Sequence, residues 1–141
     1  MQKSGICLVG AVALWLTVSA AAQVQPENTE QELSDPLLAA KVALGRDAFT
    51  MCDGCHSIRP GGPSAAGPNL YGVVGRKAGS VADYPYTNAL IASDITWDAQ
   101  SLDAYLADPG GYVPGSEMER GAVRDTELRK AIVAFLASIS E

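Results

Sequence analysis

The sequence predicts an all-α fold made of four or five short helices. Apolar residues recur every three to four positions around residues 38–49, 102–106 and 128–139, which is the period of helices with one buried face. Runs rich in Val and Ile, which would indicate β-strands, do not appear. The third observation is the motif Cys52-Asp53-Gly54-Cys55-His56, which lies between the first predicted helix and a long loop. We expect the helices to pack around this motif.

The motif has the form C-x-x-C-H, which is the attachment signature of a c-type haem. Two thiols three positions apart lie on one side of a helical turn, so Cys52 and Cys55 can each add across a vinyl group of one porphyrin. His56 follows directly and can donate an imidazole nitrogen to the iron as the proximal ligand. The motif therefore predicts one covalently attached haem c with its iron.

Three other interpretations of the cysteines fit less well. A structural zinc site needs four Cys or His ligands, whereas the chain has 3 Cys and 1 His, and Cys7 lies in a segment that we expect to be removed. A thioredoxin-like C-x-x-C would belong to a βαβ pattern, which the sequence lacks. A disulfide between Cys52 and Cys55 would leave His56 unexplained.

The N-terminus has the pattern of a secretory signal peptide over residues 1–22. Lys3 gives a positive start, residues 5–18 are apolar apart from Thr17, and the alanines at 20–22 resemble a cleavage site. The alternative is an uncleaved anchor, because the apolar stretch approaches the roughly 18–20 residues that span a bilayer. A c-type haem is joined to its chain outside the cytoplasm, so we expect a periplasmic protein. Residues 23–34 are polar and acidic and predict a disordered leader.

A single domain is predicted over residues 35–141, and its first helix begins after Asp35, an N-cap residue followed by Pro36. This helix should run straight into the cysteine motif. Its apolar face includes Gly45, although a glycine inside a helix costs about 1 kcal/mol relative to alanine. We interpret Gly45 as a position where another helix approaches closely, with a tolerated surface glycine as the alternative.

Residues 57–80 form a loop by composition, with six glycines and three prolines. Within it, the carbonyl of Pro68 could accept the Nδ1–H of His56 and fix the tautomer of the imidazole. Arg76 is the nearest cation in the loop and could sit beside a haem propionate, although most loop arginines are merely solvated. The loop is therefore expected to form one side of the haem pocket.

Three further helices are predicted in the C-terminal half. A short helix covers residues 86–93, a second begins at the N-cap Asp98 and ends at residues 108–111, and the last runs from Asp125 to the end of the chain. Trp97 could donate its indole N–H to a propionate or could be an ordinary core residue. The last two helices carry the apolar residues Leu102, Tyr105, Leu106, Leu128, Ile132, Phe135, Leu136 and Ile139.

The sixth ligand of the iron can be narrowed by elimination. His56 is the only histidine, so two histidine ligands from one chain are impossible. Met51 adjoins Cys52 on the proximal side and cannot reach around the ring. Met118 follows a segment rich in Pro and Gly that can lay a thioether against the opposite face, with a surface methionine as the alternative. Ligation by His56 and Met118 raises the potential and leaves no position for substrate, which predicts outer-sphere electron transfer and no enzyme activity.

Motifs over about three quarters of the chain combine into a family pattern. They comprise Gly45 and Phe49, residues 52–56, residues 67–77, Tyr84, Tyr86-Thr87, residues 95–97, Tyr105-Leu106 and residues 112–118. From about residue 39 onward the chain resembles class I cytochromes c of the mitochondrial and soluble bacterial type. The resemblance implies short helices wrapped around one covalent haem, with the first and last helices crossing near Gly45.

The same resemblance implies roles for several side chains. Pro68 would be the carbonyl partner of His56, Tyr86 and Trp97 would bind the propionates, and Tyr105 would lie beside the sulfur of Met118. Mitochondrial relatives also carry lysines around the exposed haem edge and an aromatic residue two positions after the methionine. This chain departs from them at these docking positions, with Gly110, Gly111, Glu117 and Arg120.

The charge of the chain bears on its partners. The full chain has a formal charge of −6, and removal of Lys3 leaves 9 basic against 16 acidic residues, or −7. Because such a surface attracts basic ones, we expect redox protein partners with a basic docking patch. We expect no nucleic acid and, once the signal is cleaved, no membrane. Against the basic-partner hypothesis, one local basic patch could be formed by Arg120, Arg124, Arg129 and Lys130.

Two functions remain in consideration. The first is a monomeric carrier of single electrons between a dehydrogenase or membrane redox complex and a terminal acceptor. The alternative is a haem c subunit bound to one periplasmic dehydrogenase. A haem sensor or peroxidase-like enzyme would require Met118 to be absent from the iron.

Overall fold

The computed structural model describes residues 35–140, and the predicted signal peptide and leader lie outside the described residues. This part of the chain contains five helices, which are α1 (Pro36–Ala48), α2 (Asn88–Ala92), α3 (Ala99–Ala107), α4 (Pro109–Tyr112) and α5 (Thr126–Ser138). Two 3-10 turns are formed by Phe49–Met51 and Glu119–Gly121. Within the described residues no strand occurs, only an isolated antiparallel bridge between Lys77 and Thr96. The all-α prediction is confirmed.

The first helix begins where its capping residues predict. The Asp35 carboxylate accepts the backbone N–H of Leu37 at 2.8 Å, and Pro36 occupies the first helical position. The helix does not run straight into the cysteine motif, because after Ala48 it narrows into the 3-10 turn Phe49–Met51. Cys52 therefore follows a tightened turn.

The first and last helices are in direct contact. A Cβ built on Gly45 would overlap with the carbonyl oxygen of Ala131 and lie 2.9 Å from the Cβ of Phe135. The rings of Phe49 and Phe135 meet edge to face with centroids 5.6 Å apart. Gly45 thus permits the close approach that its position on the apolar face predicts.

The C-terminal half of the chain agrees with the predicted helix starts and departs from the predictions at two other places. The N-cap residues Asp98 and Asp125 are confirmed, with carboxylates that accept the N–H groups of Ser101 at 2.7 Å and of Leu128 at 2.8 Å. The predicted helix end at Asp108 is confirmed, because α3 stops at Ala107 and Asp108 is its C-cap residue, but the short helix α4 that follows was not predicted. The last helix stops at Ser138 rather than at the end of the chain.

A single apolar core lies between α1, α3 and α5. Ile132 is its most deeply buried large residue, with 1% of its surface exposed. None of the helices among residues 35–140 is long and apolar enough to cross a bilayer. The loop of residues 57–87 follows the cysteine motif directly and folds back on it, because the N–H of Gly67 donates to the Cys55 carbonyl at 2.8 Å.

The substitution Gly45→Ala should lower the free energy of unfolding. Helix propensity alone predicts a gain of about 1 kcal/mol, but overpacking against the Ala131 backbone and Phe135 costs up to about 3 kcal/mol, which gives a net loss of up to about 2 kcal/mol. Denaturant unfolding measures the sign. The control is Ala43→Gly at an exposed position of the same helix, where only the propensity changes. A stabilised Gly45→Ala variant would contradict the close contact of α1 and α5.

Candidate haem site

The cysteine motif forms a tight turn after the first helix. The N–H groups of Cys55 and His56 both donate to the carbonyl of Cys52, each at 3.0 Å. Cys52 is half-buried and Cys55 exposed, and the two thiols are free, so the disulfide alternative is wrong. Burial raises the pKa of the Cys52 thiol, and the neighbouring Asp53 carboxylate acts in the same direction. The turn therefore presents two thiols and one imidazole together.

The imidazole of His56 is held by a backbone carbonyl. Its Nδ1 lies 2.8 Å from the carbonyl oxygen of Pro68, which is the predicted hydrogen bond. A proton on Nδ1 satisfies this carbonyl and leaves the lone pair of Nε2 for a metal ion. Burial lowers the pKa of His56, and the bond to Pro68 opposes this effect. The neutral imidazole that metal ligation needs is therefore favoured.

Gly67 packs directly under the ring of His56. A Cβ on Gly67 would overlap with Cε1 of the imidazole and lie 2.7 Å from Nδ1 and 2.8 Å from Nε2. The ring is therefore fixed from two sides, by the bond to Pro68 and by contact with the Gly67 backbone.

Asn69 holds the loop that carries Pro68. It is buried, and its amide nitrogen donates to the carbonyls of Arg59 at 2.8 Å and Gly62 at 2.7 Å. Its side-chain oxygen accepts the N–H of Tyr71 at 2.8 Å. The sequence indicated no role for Asn69, because its partners are backbone groups that every residue possesses.

Arg76 also holds this loop. Its guanidinium donates to the carbonyl of Asn69 at 2.7 Å and to that of Tyr71 at 2.9 Å. Burial lowers the pKa of Arg76, while the Tyr86 hydroxyl acts in the opposite direction. Burial likewise raises the pKa of half-buried Tyr86. Arg76 and Tyr86 therefore lie near each other, and Arg76 is not the merely solvated cation of the alternative interpretation.

Trp97 is a core residue attached to the same loop. Its backbone N–H donates to the Arg76 carbonyl at 2.9 Å, and its carbonyl accepts the N–H of Gly75 at 2.7 Å. The side chain is buried, and its ring lies against Tyr105 with a centroid distance of 5.1 Å. In the part of the chain that the structure describes, the one buried side-chain polar atom without a hydrogen-bond partner is Ser57 Oγ, and the Trp97 indole nitrogen is not in that group.

Met118 is half-buried and packs against the apolar core. A Cβ on Gly121 would lie 2.7 Å from its terminal methyl group, so the 3-10 turn supports the thioether. The preceding segment is held by buried Ser116, whose hydroxyl donates to the Pro109 carbonyl at 3.1 Å. Burial raises the pKa of Tyr105, and a hydrogen bond with Ser116 opposes this rise. Met51, by contrast, is 60% exposed.

The donor set fits a covalently bound haem. The chain supplies two free thiols for attachment, an imidazole with an available Nε2 and a half-buried thioether. The zinc alternative has no support, because no group of three or more His, Cys, Asp or Glu side chains among residues 35–140 could hold a metal ion. Fold and donor set together define an all-α protein of the c-type haem class.

The comparisons with known proteins agree, and the chain belongs to the cytochrome c family. The family model described as Cytochrome c matches residues 42–140. The chain is 40% identical over 92 residues to cytochrome c2 iso-2 of Magnetospirillum fulvum (65% of this chain, 95% of the relative). It is 33% identical over 138 residues to cytochrome c2 of Rhodomicrobium vannielii (98% and 97%). Cytochrome cH from Methylobacterium extorquens shares the fold with a TM-score of 0.64 and 38% identity (69% and 97%).

Family membership determines the cofactor and the class of function. Cytochromes c bind one covalent haem c with its iron, and Cys52 and Cys55 fit the attachment motif. They are electron carriers that act with redox partners, and they are not enzymes. The predictions of the family, the fold class, the cofactor and the absence of enzyme activity are confirmed.

The substitution Gly67→Ala should displace the imidazole of His56. The added Cβ overlaps with the ring, so the bond to Pro68 must weaken, and the holoprotein should lose about 1–3 kcal/mol of stability. NMR of the reduced protein should show a shifted or missing Nδ1–H signal. Ala65→Ser, at an exposed position of the same loop, is the control. An unchanged signal with wild-type stability would mean that Gly67 does not fix the ring.

Proposed function

We propose that His56 and Met118 are the axial ligands of the haem iron and that Cys52 and Cys55 form the two thioether links. The observation that carries this proposal is the 2.8 Å contact between His56 Nδ1 and the Pro68 carbonyl, because it leaves Nε2 as the free ligand atom. Met51 is exposed and adjoins Cys52, so the half-buried Met118 remains as the sulfur donor for the iron. When bound, the haem supplies an iron that alternates between the ferric and ferrous states.

The remaining residues of the site orient the group and exclude water. We propose that Trp97 and Tyr86 donate hydrogen bonds to the propionates and that Arg76 lies beside them as a compensating charge. The burial of Trp97 and the electrostatic interaction of Arg76 with Tyr86 support this assignment. Tyr105 lies beside the Met118 sulfur in this proposal, and its burial, which raises the pKa of the hydroxyl, keeps it neutral. Fixed dipoles of this kind need little rearrangement when the charge on the iron changes.

The substitution Met118→Ala tests the sixth ligand. Loss of the thioether should lower the reduction potential, because ligation by His and Met raises it. It should also abolish the weak absorption of the ferric protein near the red end of the visible spectrum, which reports sulfur bound to iron. The control is Met51→Ala, which should leave both properties unchanged because Met51 is exposed. Persistence of the absorption in Met118→Ala would exclude Met118 as the ligand.

We also propose that the protein is exported to the periplasm with cleavage after Ala22. The match with the Rhodomicrobium vannielii protein covers 138 of 141 residues, so it extends through most of the apolar N-terminal run. The mass of protein isolated from the periplasm should correspond to a chain that starts at Gln23 and carries one haem. A mass that includes residues 1–22 would favour the retained anchor.

For the partner, we propose a mobile one-electron carrier that docks to a basic surface; the alternative is a haem subunit held by one dehydrogenase. The sequence suggested that Arg129 could belong to a local basic patch, and this prediction is wrong. This residue is buried and donates to Asp103 at 2.9 Å and to the Val123 carbonyl at 3.0 Å. Lys130 is paired with Glu127 at 3.2 Å. Arg129 and Lys130 are therefore each paired with a carboxylate, and among residues 35–140 Arg120 and Arg124 are the members of that patch that form no ion pair.

Electron transfer with the physiological partner should slow as ionic strength rises. Attraction between opposite surfaces is screened over a Debye length of about 8 Å at physiological salt, and the loss falls mainly on the association rate. A mitochondrial-type oxidase with an acidic docking site should show the opposite trend. Glu117→Lys should shift both salt dependences toward those of the mitochondrial relatives. The control is Glu127→Lys on α5, which makes the same charge change nine residues along the chain from Met118. Stopped-flow rates that fall with salt for the acidic-site oxidase would contradict the basic-partner proposal.

A further inference from the structure

A hydrogen-bonded contact joins the loop after the cysteine motif to a distant part of the chain. Both oxygens of the Asp83 carboxylate accept hydrogen bonds from Ser64, one from its backbone N–H and one from its hydroxyl, each at 2.9 Å. The Tyr84 hydroxyl donates to the carbonyl of Ala66 at 3.0 Å. These contacts span 18 or 19 positions of the sequence, so they hold the loop from outside.

The contact continues from Ser64 to the residues that hold the imidazole. The Ser64 hydroxyl, which donates to Asp83, also accepts the backbone N–H of Asn69 at 3.2 Å. Asn69 is buried and follows Pro68 directly. The carbonyl oxygen of Pro68 in turn lies 2.8 Å from Nδ1 of His56. A connected series of hydrogen bonds therefore runs from an exposed carboxylate to the imidazole.

The Pro68 carbonyl and the Asn69 N–H belong to one peptide group, so the two ends of this group are bonded at the same time. The Ser64 oxygen directs its proton to a carboxylate, which makes it a stronger acceptor for the Asn69 N–H. Hydrogen bonds in series polarise one another, so the carbonyl oxygen becomes more negative. The carbonyl that accepts Nδ1–H of His56 is therefore polarised by Asp83.

The carboxylate at the start of the series is ionised at neutral pH. The backbone N–H and the hydroxyl of Ser64 lower the pKa of Asp83 below its ordinary value, although the side chain is exposed. In the described part of the chain Asp83 takes part in no ion pair. A carboxylate that serves only a local turn binds its sequence neighbours, as Asp98 binds Ser101 three residues away. Asp83 instead binds across the two segments.

We propose that Asp83 is a positioning residue for the proximal ligand His56. It acts through Ser64 and the peptide group between Pro68 and Asn69, and it strengthens the hydrogen bond at Nδ1. A stronger bond at Nδ1 makes Nε2 a better electron donor, which favours the ferric state of the iron. This inference rests on the proposed ligation by His56 and adds a residue that helps to set the reduction potential.

The substitution Asp83→Asn tests this role in the ferrous holoprotein. Exchange of the His56 Nδ1–H with solvent, followed by NMR, should become faster by about ten-fold, because a bond to a charged group is replaced by a weaker neutral one. The reduction potential should rise. The matched control is Asp98→Asn, which removes the same charge from an exposed carboxylate bonded in the same way to a serine. Equal exchange rates and potentials in the two variants would overturn the proposal.

A loss of general stability is distinguished by a second proton in the same sample. The backbone N–H of Ile132 lies in the core, on a residue with 1% of its surface exposed, so its exchange reports opening of the whole fold. In Asp83→Asn the exchange of the His56 proton should accelerate more than that of Ile132. Equal acceleration of both protons would mean that Asp83 only stabilises the fold, which contradicts a positioning role.

The route of the effect is tested by Ser64→Ala, which keeps the carboxylate and removes the hydroxyl between Asp83 and Asn69. This variant should also raise the potential and accelerate exchange of the His56 proton. Because both changes interrupt one series, the double variant should exchange within about two-fold of the faster single variant. Fully additive effects would mean that Asp83 acts independently of Ser64 and would contradict the proposed route.

Failure of this inference is distinguishable from failure of the proposed ligation. The ring protons of a histidine bound to the iron lie over the porphyrin, so the ring current moves their signals strongly upfield. A wild-type ferrous protein without such signals from His56 contradicts the ligation, whatever Asp83→Asn does. Upfield signals together with an unchanged Nδ1–H in Asp83→Asn contradict the positioning role alone.

Discussion

The hydrogen bond between Nδ1 of His56 and the Pro68 carbonyl is the contact on which the site depends. His56 is the only histidine of the chain, so a histidine ligand of the iron must be this residue. Its imidazole must then be neutral, with the proton on Nδ1, and must face the iron with Nε2. The 2.8 Å contact with Pro68 assigns the Nδ1 proton, and Gly67 beneath the ring restricts its rotation. Asn69 and Arg76 contribute indirectly, because their bonds to loop carbonyls keep Pro68 in place.

The helices determine where this loop can meet the cysteine motif. Gly45 lets α1 touch the backbone of α5 at Ala131, which fixes the end of α1 from which the motif starts. On the opposite side, Arg129 joins α5 to Asp103 on α3 and to the carbonyl of Val123. In the chain, the segment that contains Met118 connects the end of α4 to the start of α5. The same pairing of helices therefore positions both sides of the haem site.

Features that depend on local chemistry could be predicted from the sequence. The caps at Asp35, Asp98 and Asp125 are correct because a capping carboxylate binds N–H groups two or three residues away. The bond from His56 to Pro68 was predicted chiefly from the resemblance to class I cytochromes c, because any carbonyl of that loop could accept the Nδ1–H. The turn α4 was missed, since Pro109 can follow the end of one helix or begin another.

Features that depend on tertiary packing could not be predicted in the same way. Arg129 was interpreted as a surface cation, and its burial depends on Asp103, which is 26 residues away and approaches only when α3 packs on α5. Asn69 and Arg76 bind backbone carbonyls. Every residue has such a carbonyl, so the sequence does not indicate which ones these side chains bind.

The central claim is that His56 and Met118 fill both axial positions, so that the haem exchanges electrons and binds no further ligand. The most direct measurement is the absorption spectrum of the ferrous wild-type protein after addition of carbon monoxide at neutral pH. The proposed ligation predicts a spectrum that does not change on mixing. Rapid formation of a carbon monoxide complex would contradict it and would indicate an iron with an open position.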